Sequence, residues 1–224
     1  VYKEITAKVH KEAPAGTYFI VLAPGESLTD EMKKLSDDGL LRGELRIDDG
    51  RTISAKQRKK AWATLRDISL HNGDDQETNH WYLKHMFMTA KNATYFSLAD
   101  CSVTAARHYI SFLLDFCLEW GIPLTEPLIS RTDDINAALY SALMHKRCIV
   151  CGGDAHLHHA EDRVGMGRNR KEIIHLGMRV MALCPTHHDE CHRIGQDTFN
   201  SRYHVCGISA AEEMCKVWGL KFSE

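Results

Sequence analysis

The sequence predicts an α+β protein in two parts: a β-rich start with helices behind it, then a metal-braced module of two strands and a helix. Three observations carry this. The first fifty residues alternate as strands do, and the stretch from 54 to 121 repeats apolar residues at helical spacing. The stretch from Cys148 to His192 gathers four cysteines and seven histidines. A length of 224 residues allows one or two domains with a real core. With 28 Lys and Arg against 30 Asp and Glu, the formal net charge is −2, so any contact with a polyanion must be local.

At the start of the chain, residues 4–10 and 43–47 alternate and 17–22 form the continuous apolar run of a buried strand. A short helix fits 27–35, and Asp48-Asp49-Gly50 is a turn. No catalytic constellation is present there. Ser54 caps a helix that runs to Gly73. Trp62, Leu65, Ile68 and residues 69–70 form its apolar face, while Lys56, Arg58, Lys59, Lys60 and Arg66 load the other. A second helix covers 76–91, and a third runs from Ser102 to Gly121 with Pro123 beyond it. Residues 124–132, with Pro127, read as a linker between a domain over 1–123 and one over 133–224.

The second part begins with a helix over 133–146 that leads directly into Cys148. Strands follow over 155–160 and 178–183, then a helix over 185–194. A last helix spans 209–218, with Ser209 as its cap and Gly219 as its stop. Cys101, Cys117, Cys206 and Cys215 lie in apolar, helix-like surroundings and read as buried free thiols. No signal peptide is visible and no apolar run approaches the roughly 18 residues of a membrane span, so a reducing cytoplasm is the expected compartment.

Two metal-ligand spacings are interleaved between Cys148 and His192. Cys148-x-x-Cys151 is followed by Cys184-x-x-His187, two turn-borne pairs that can close a tetrahedral structural Zn2+ site. Cys191, one turn beyond His187, is a rival for the fourth position. The doublet His158-His159 and the pair His188-x-x-x-His192 make the second pattern. On a helix starting at Pro185, His188 and His192 share a face, while His187 points roughly 100° away. One short helix can therefore serve two ions. A zinc ribbon that grips DNA without cutting it uses the same cysteines, and the histidines would then merely line a phosphate groove.

These residues resemble the HNH (ββα-metal) endonucleases, most of all those encoded by phages and prophages of Gram-positive bacteria. The match covers Cys148 to Ile194, and the tail IGQDTFNSRYHV is similar too. The resemblance implies His158, His188 and His192 as ligands of a catalytic ion, His159 as general base, and products with 5′-phosphate and 3′-hydroxyl ends. That ion would be one divalent cation, Mg2+, Mn2+, Ni2+ or Zn2+, with three imidazoles favouring the transition metals. The chain departs from the family at the Asn that orients the base: Arg179 holds its place, and His175 is the expected substitute. Arg163, Arg168, Arg170 and Lys171, in a glycine-bearing loop beside the doublet, are placed to hold phosphates, as are Arg179 and, on the first long helix, Arg58, Lys59 and Lys60.

The phrases ISAKQRKKAWATLRDIS and FSLADCS, with the helix order around them, are similar to the NinB (Orf) recombination proteins of phages. That implies binding of single-stranded or branched DNA during recombination, in a bacterial host cell. The expected partner is therefore DNA, whether duplex, single-stranded or branched, and a homodimer would bring two cutting sites to one junction. The alternative is a recombination mediator that binds DNA and has no catalytic centre.

Overall fold

The computed structural model describes residues 7–13, 17–22, 50–160 and 173–223. The chain divides into two compact units, Val1–Ile47 and Asp48–Glu224. In the first, β1 (Ala7–Ala13) pairs antiparallel with β2 (Thr17–Leu22), from Ala7 opposite Leu22 to Ala13 opposite Thr17, with a bulge between Val9 and Lys11. The strand expected over 4–10 thus lies three residues later, because a hairpin's register follows its short connection rather than alternation alone. The helix expected over 27–35 and the strand expected over 43–47 fall outside the described residues.

The second unit opens with three capped helices. In α1 (Ala55–Asn72) the Ser54 hydroxyl accepts from the Gln57 amide, and the Gln57 side chain accepts from the Ser54 amide, so two otherwise orphaned donors are satisfied together. Gly73, at φ +84°, ends the helix in the left-handed region that favours glycine. Asp75 caps α2 (Gln76–Lys91) and Ser102 caps α3 (Val103–Trp120). The three pack on Leu65, Ile68, Phe87, Tyr109, Ile110 and Leu113, all buried. Leu70, counted above with the apolar face of α1, is instead 73 % exposed. Two residues on from Ile68, it has rotated roughly 200° away from the core.

The segment 124–132, expected to be a linker, carries the short helix α4 (Leu128–Arg131) and is packed at both ends. The Leu128 amide donates to the Val150 carbonyl at 3.1 Å. Arg131, 1 % exposed, meets the equally buried Asp67 of α1 at 3.0 Å, and the Thr125 hydroxyl bonds Asp67 at 2.9 Å. Next comes α5 (Ile135–Met144), capped by Asp134. Its far end is tied to α3 through His145 Nε2 and Asp115 at 2.9 Å, and Ser141 bonds the same carboxylate.

Beyond α5 lies a small antiparallel sheet in the order β3-β4-β5. Its strands are β3 (His156–His159), β4 (Arg179–Leu183) and β5 (Ile208–Ser209). The helices are α6 (Pro185–Ile194), α7 (Gln196–Tyr203) and α8 (Glu212–Trp218). Ser209 was expected to cap the last helix; it ends β5 instead, opposite Arg179, and α8 starts after Ala211. Pairing to β4 took the residue that capping would have used. Gly207 is required just before β5, since a Cβ there would lie 2.6 Å from that of Ala160, the residue after β3. Cys101, Cys117 and Cys215 are buried, whereas Cys206 is exposed in the turn before β5, outside the core its apolar neighbours suggested. Among the described residues no helix is long and apolar enough to cross a membrane.

Breaking the Asp67–Arg131 pair from one side leaves the buried guanidinium with only the exposed Glu126 carboxylate, 2.9 Å from its Nε, as counter-charge. Asp67→Ala is expected to destabilise the unit by about 3–5 kcal/mol in urea unfolding, and Asp67→Ala with Arg131→Met should recover most of that loss.

Candidate metal centres

The first cluster forms where the chain leaves α5. The Cys148 amide donates to the Gly153 carbonyl and the Gly152 amide to the Cys148 carbonyl, a tight knuckle in which Gly152 has φ +75°. Across from it, Cys184 is the cap residue of α6 and His187 lies in the first turn, because Pro185 starts the helix between them. His187 Nδ1 is 3.1 Å from Cys184 Sγ and 3.5 Å from Cys148 Sγ, and the Cys151 and Cys184 sulfurs are 3.7 Å apart. A tetrahedral zinc with Zn–S of ~2.3 Å and Zn–N of ~2.05 Å separates its ligands by about 3.8 Å (S to S) and about 3.6 Å (S to N). The donor set and its spacing fit such an ion. The hydrogen bond from Cys148 holds the Cys151 thiol below its usual range, as a ligand that must bind as thiolate requires.

Behind this cluster α7 braces α6. The Tyr203 hydroxyl donates to Glu190 at 2.9 Å, Arg202 pairs with the same carboxylate at 2.7 Å, and the Tyr203 ring stands edge-on to His187.

The second cluster faces another direction from the same helix. His158 comes from β3, 4 % exposed, and meets His188 and His192 with ring centroids at 4.9 and 5.3 Å. One ring nitrogen from each lies within 4.8 Å of the other two. Burial lowers the pKa of His158; burial first, and then the neighbouring imidazoles, lowers that of His188. Both rings are thereby held neutral, the form that binds metal.

Cys191 belongs to neither ligand set. Its sulfur is 3.5 Å from His158 Nε2, so it faces the histidines rather than the other cysteines. On α6 it lies at an azimuth between His187 and the pair His188/His192, which turns it into the protein between the two clusters. Gln196, which sequence reasoning missed, puts Oε1 2.7 Å from His158 Nε2. The one available signal was spacing, since 188, 192 and 196 stand four apart.

On the opposite face of β3, the His159 ring lies 5.3 Å from that of His175. His175 is 2 % exposed, held by its amide to Lys221 and its carbonyl to Met178, and its Nδ1 has no hydrogen-bond partner among the described residues. Arg179 heads β4, one residue from the sheet's central pairing.

Arg163, Arg168, Arg170 and Lys171 lie outside the described residues. Arg58 spends its guanidinium on the Leu98 and Ala99 carbonyls at 2.7 Å each, and Lys60 binds the Thr132 carbonyl and Asp133, so of the α1 trio Lys59 alone is fully exposed. Beside them runs a groove of about 830 Å3, lined by Trp62, Glu77, His80, Trp81, Lys84 and Tyr95 among others. Lys84 is 7 % exposed, with Nζ 3.7 Å from the centre of the Tyr95 ring and no carboxylate in salt-bridge range among the described residues. His80, pushed down to about 4 by burial, adds no charge at neutral pH. Trp81 and Tyr95 stay 58 % and 73 % exposed. Sequence reasoning missed this groove, whose walls come from separate helices and a loop.

The model of a protein family described as "Putative HNHc nuclease" matches residues 27–221. The chain belongs to that family, whose members use a metal ion. Neither a curated protein nor a solved structure matches it.

The cysteine cluster sets an expectation that does not involve activity. Cys184→Ser removes one of three thiolates. The Co2+-loaded variant should lose part of its thiolate-to-cobalt absorption, release its ion at lower chelator concentration, and melt earlier than the wild type.

Proposed function

We propose that this family member is a metal-dependent endonuclease that hydrolyses DNA phosphodiester bonds. The observation that carries the reading is the meeting of three imidazoles at one point, with a fourth, His159, on the opposite face of the same strand. In this reading His158, His188 and His192 hold one divalent cation. Bound there, the cation would neutralise charge on the phosphate and the leaving 3′ oxygen. His159 takes the proton of the attacking water onto an imidazole nitrogen, a role suited to a group that titrates near neutral pH. His175, packed beside it, is a positioning residue that limits how the His159 ring can turn. Arg179 and the loop arginines Arg163, Arg168 and Arg170, with Lys171, would hold phosphates on either side of the cut. Breakage of the P–O3′ bond leaves 5′-phosphate and 3′-hydroxyl ends.

The division of labour we propose gives DNA holding to 1–123 and cutting to 133–224. Lys84 supports the first half. A lysine is almost never buried without a partner, and this one lies among rings with no carboxylate in salt-bridge range among the described residues. A phosphate would supply the missing charge, and unpaired bases would stack on Trp81 and Tyr95. Glu77 opposes this, but it is a single carboxylate at a groove that also holds Arg58 and Lys84. A role in phage recombination or replication inside a bacterial host accords with such a substrate, and a second copy of the chain would provide the second cut at a junction.

His159→Ala is expected to lower cleavage of plasmid and branched DNA by about 10²–10⁴-fold while leaving metal content unchanged. Wild type that binds DNA and cuts nothing with Mg2+, Mn2+, Ni2+ or Zn2+ would overturn the nuclease reading in favour of a DNA-binding mediator. In the His159→Ala background, Trp81→Ala and Lys84→Ala should each weaken single-stranded oligonucleotide binding by roughly tenfold, the loss of about one stacked base or one charge contact. Fluorescence anisotropy reads this directly, and unchanged affinity in both variants would remove the groove from the proposal.

A further inference from the structure

We infer that Gln196 is a fourth protein ligand of the His158–His188–His192 centre, donating through its side-chain oxygen. The inference rests on reading those three histidines as a metal centre. Its starting point is the interruption between α6 and α7. On one unbroken helix, residues 188, 192 and 196 would form a single stripe. Gly195, at φ +85° and ψ 152°, instead ends α6, and Gln196 becomes the first residue of a new helix anchored by the fully buried Phe199. That bend delivers the Gln196 carboxamide to a histidine 38 residues earlier in the chain.

The amide is held at both ends. Its Nε2 donates to Asn200 Oδ1 at 2.8 Å, which leaves Oε1 to face His158 Nε2 at 2.7 Å. As a hydrogen bond, that contact needs a proton on Nε2, which a cation bound at that nitrogen would displace. Once the proton has gone, two lone-pair donors face each other at close range, and a cation between them resolves the repulsion. Neighbouring ligands of an octahedral ion at ~2.1 Å stand about 3.0 Å apart, close to the separation found here. Cys191 does not compete: its sulfur reaches His158 Nε2 and Gln196 Oε1 at 3.5 Å each, yet it is not among the donor atoms that gather within 4.8 Å of one another.

The resulting set is three imidazoles and one amide oxygen, all neutral, so a bound cation keeps its full double charge for the phosphate. An oxygen donor also broadens acceptance toward harder ions such as Mn2+.

A purely local role for Gln196 makes the opposite prediction. If it only capped His158, its bond would compete with the metal, and removing it would tighten binding. Stepwise Co2+ and Mn2+ titration of the full-length chain against a competing chelator separates the two. Gln196→Ala should weaken the histidine site by tenfold or more and alter its Co2+ visible spectrum, while Gln196→Glu should restore or exceed wild-type affinity. The thiolate-to-cobalt band of the cysteine cluster, unchanged in all three proteins, reports that each is folded. A two-ion wild type whose Gln196→Ala variant binds as tightly, or more tightly, overturns this ligand alone. A wild type that takes up only one ion overturns the histidine centre together with it.

Discussion

Everything in the candidate site hangs on the roughly 100° between successive residues of one ten-residue helix. Because His187 and His188 are adjacent, they cannot face the same way, and α6 must present one to the cysteines and the other to β3. The cysteine cluster grips the start of this helix through Cys184 and His187. With that end held, the azimuth of every later residue is decided, including His188 and His192. A closed tetrahedral ion at the first cluster would stiffen this grip, so its effect on the second would be geometric rather than electronic.

The same rigidity reaches back into the helical region. Arg131 and Asp67 tie α4 to α1, Leu128 bonds the Cys148 knuckle at Val150, and Asp115 gathers Ser141 and His145 so that α3 and α5 hold one register. The Trp218 indole then donates to the Leu143 carbonyl at 2.8 Å, placing α8 against α5. Polar bonds between elements far apart in sequence therefore fix where α5 ends and where Cys148 begins. An apolar core alone tolerates repacking, whereas a buried ion pair left half-made is strongly penalised, which makes the arrangement specific.

Charge is distributed with similar economy. Burial lowers the pKa of His158 and, with the neighbouring imidazoles, that of His188, which suits both to receive a cation. Lys84 is the reverse case, a cation buried beside the rings of Tyr95 and Phe96. With a net charge of −2, the nucleic-acid contact we propose depends on a few placed groups and not on the bulk balance.

By itself the sequence determined the helices α1 to α3, since Ser54, Asp75, Ser102, Gly73 and Gly121 mark their ends by local chemistry. It also determined the two pairs Cys148/Cys151 and Cys184/His187, which could hold a metal ion, and the split between His187 and His188/His192, because turns and helical rotation act over three or four residues. It did not determine β5, a two-residue strand too short to show any period, nor the loss of Ser209 from its expected cap. The direction of Cys191, the approach of Gln196 to His158, the burial of Lys84 and the packing of 124–132 were decided only by tertiary structure. Each depends on which surfaces meet across tens of residues, and packing sets that, while spacing along the chain does not.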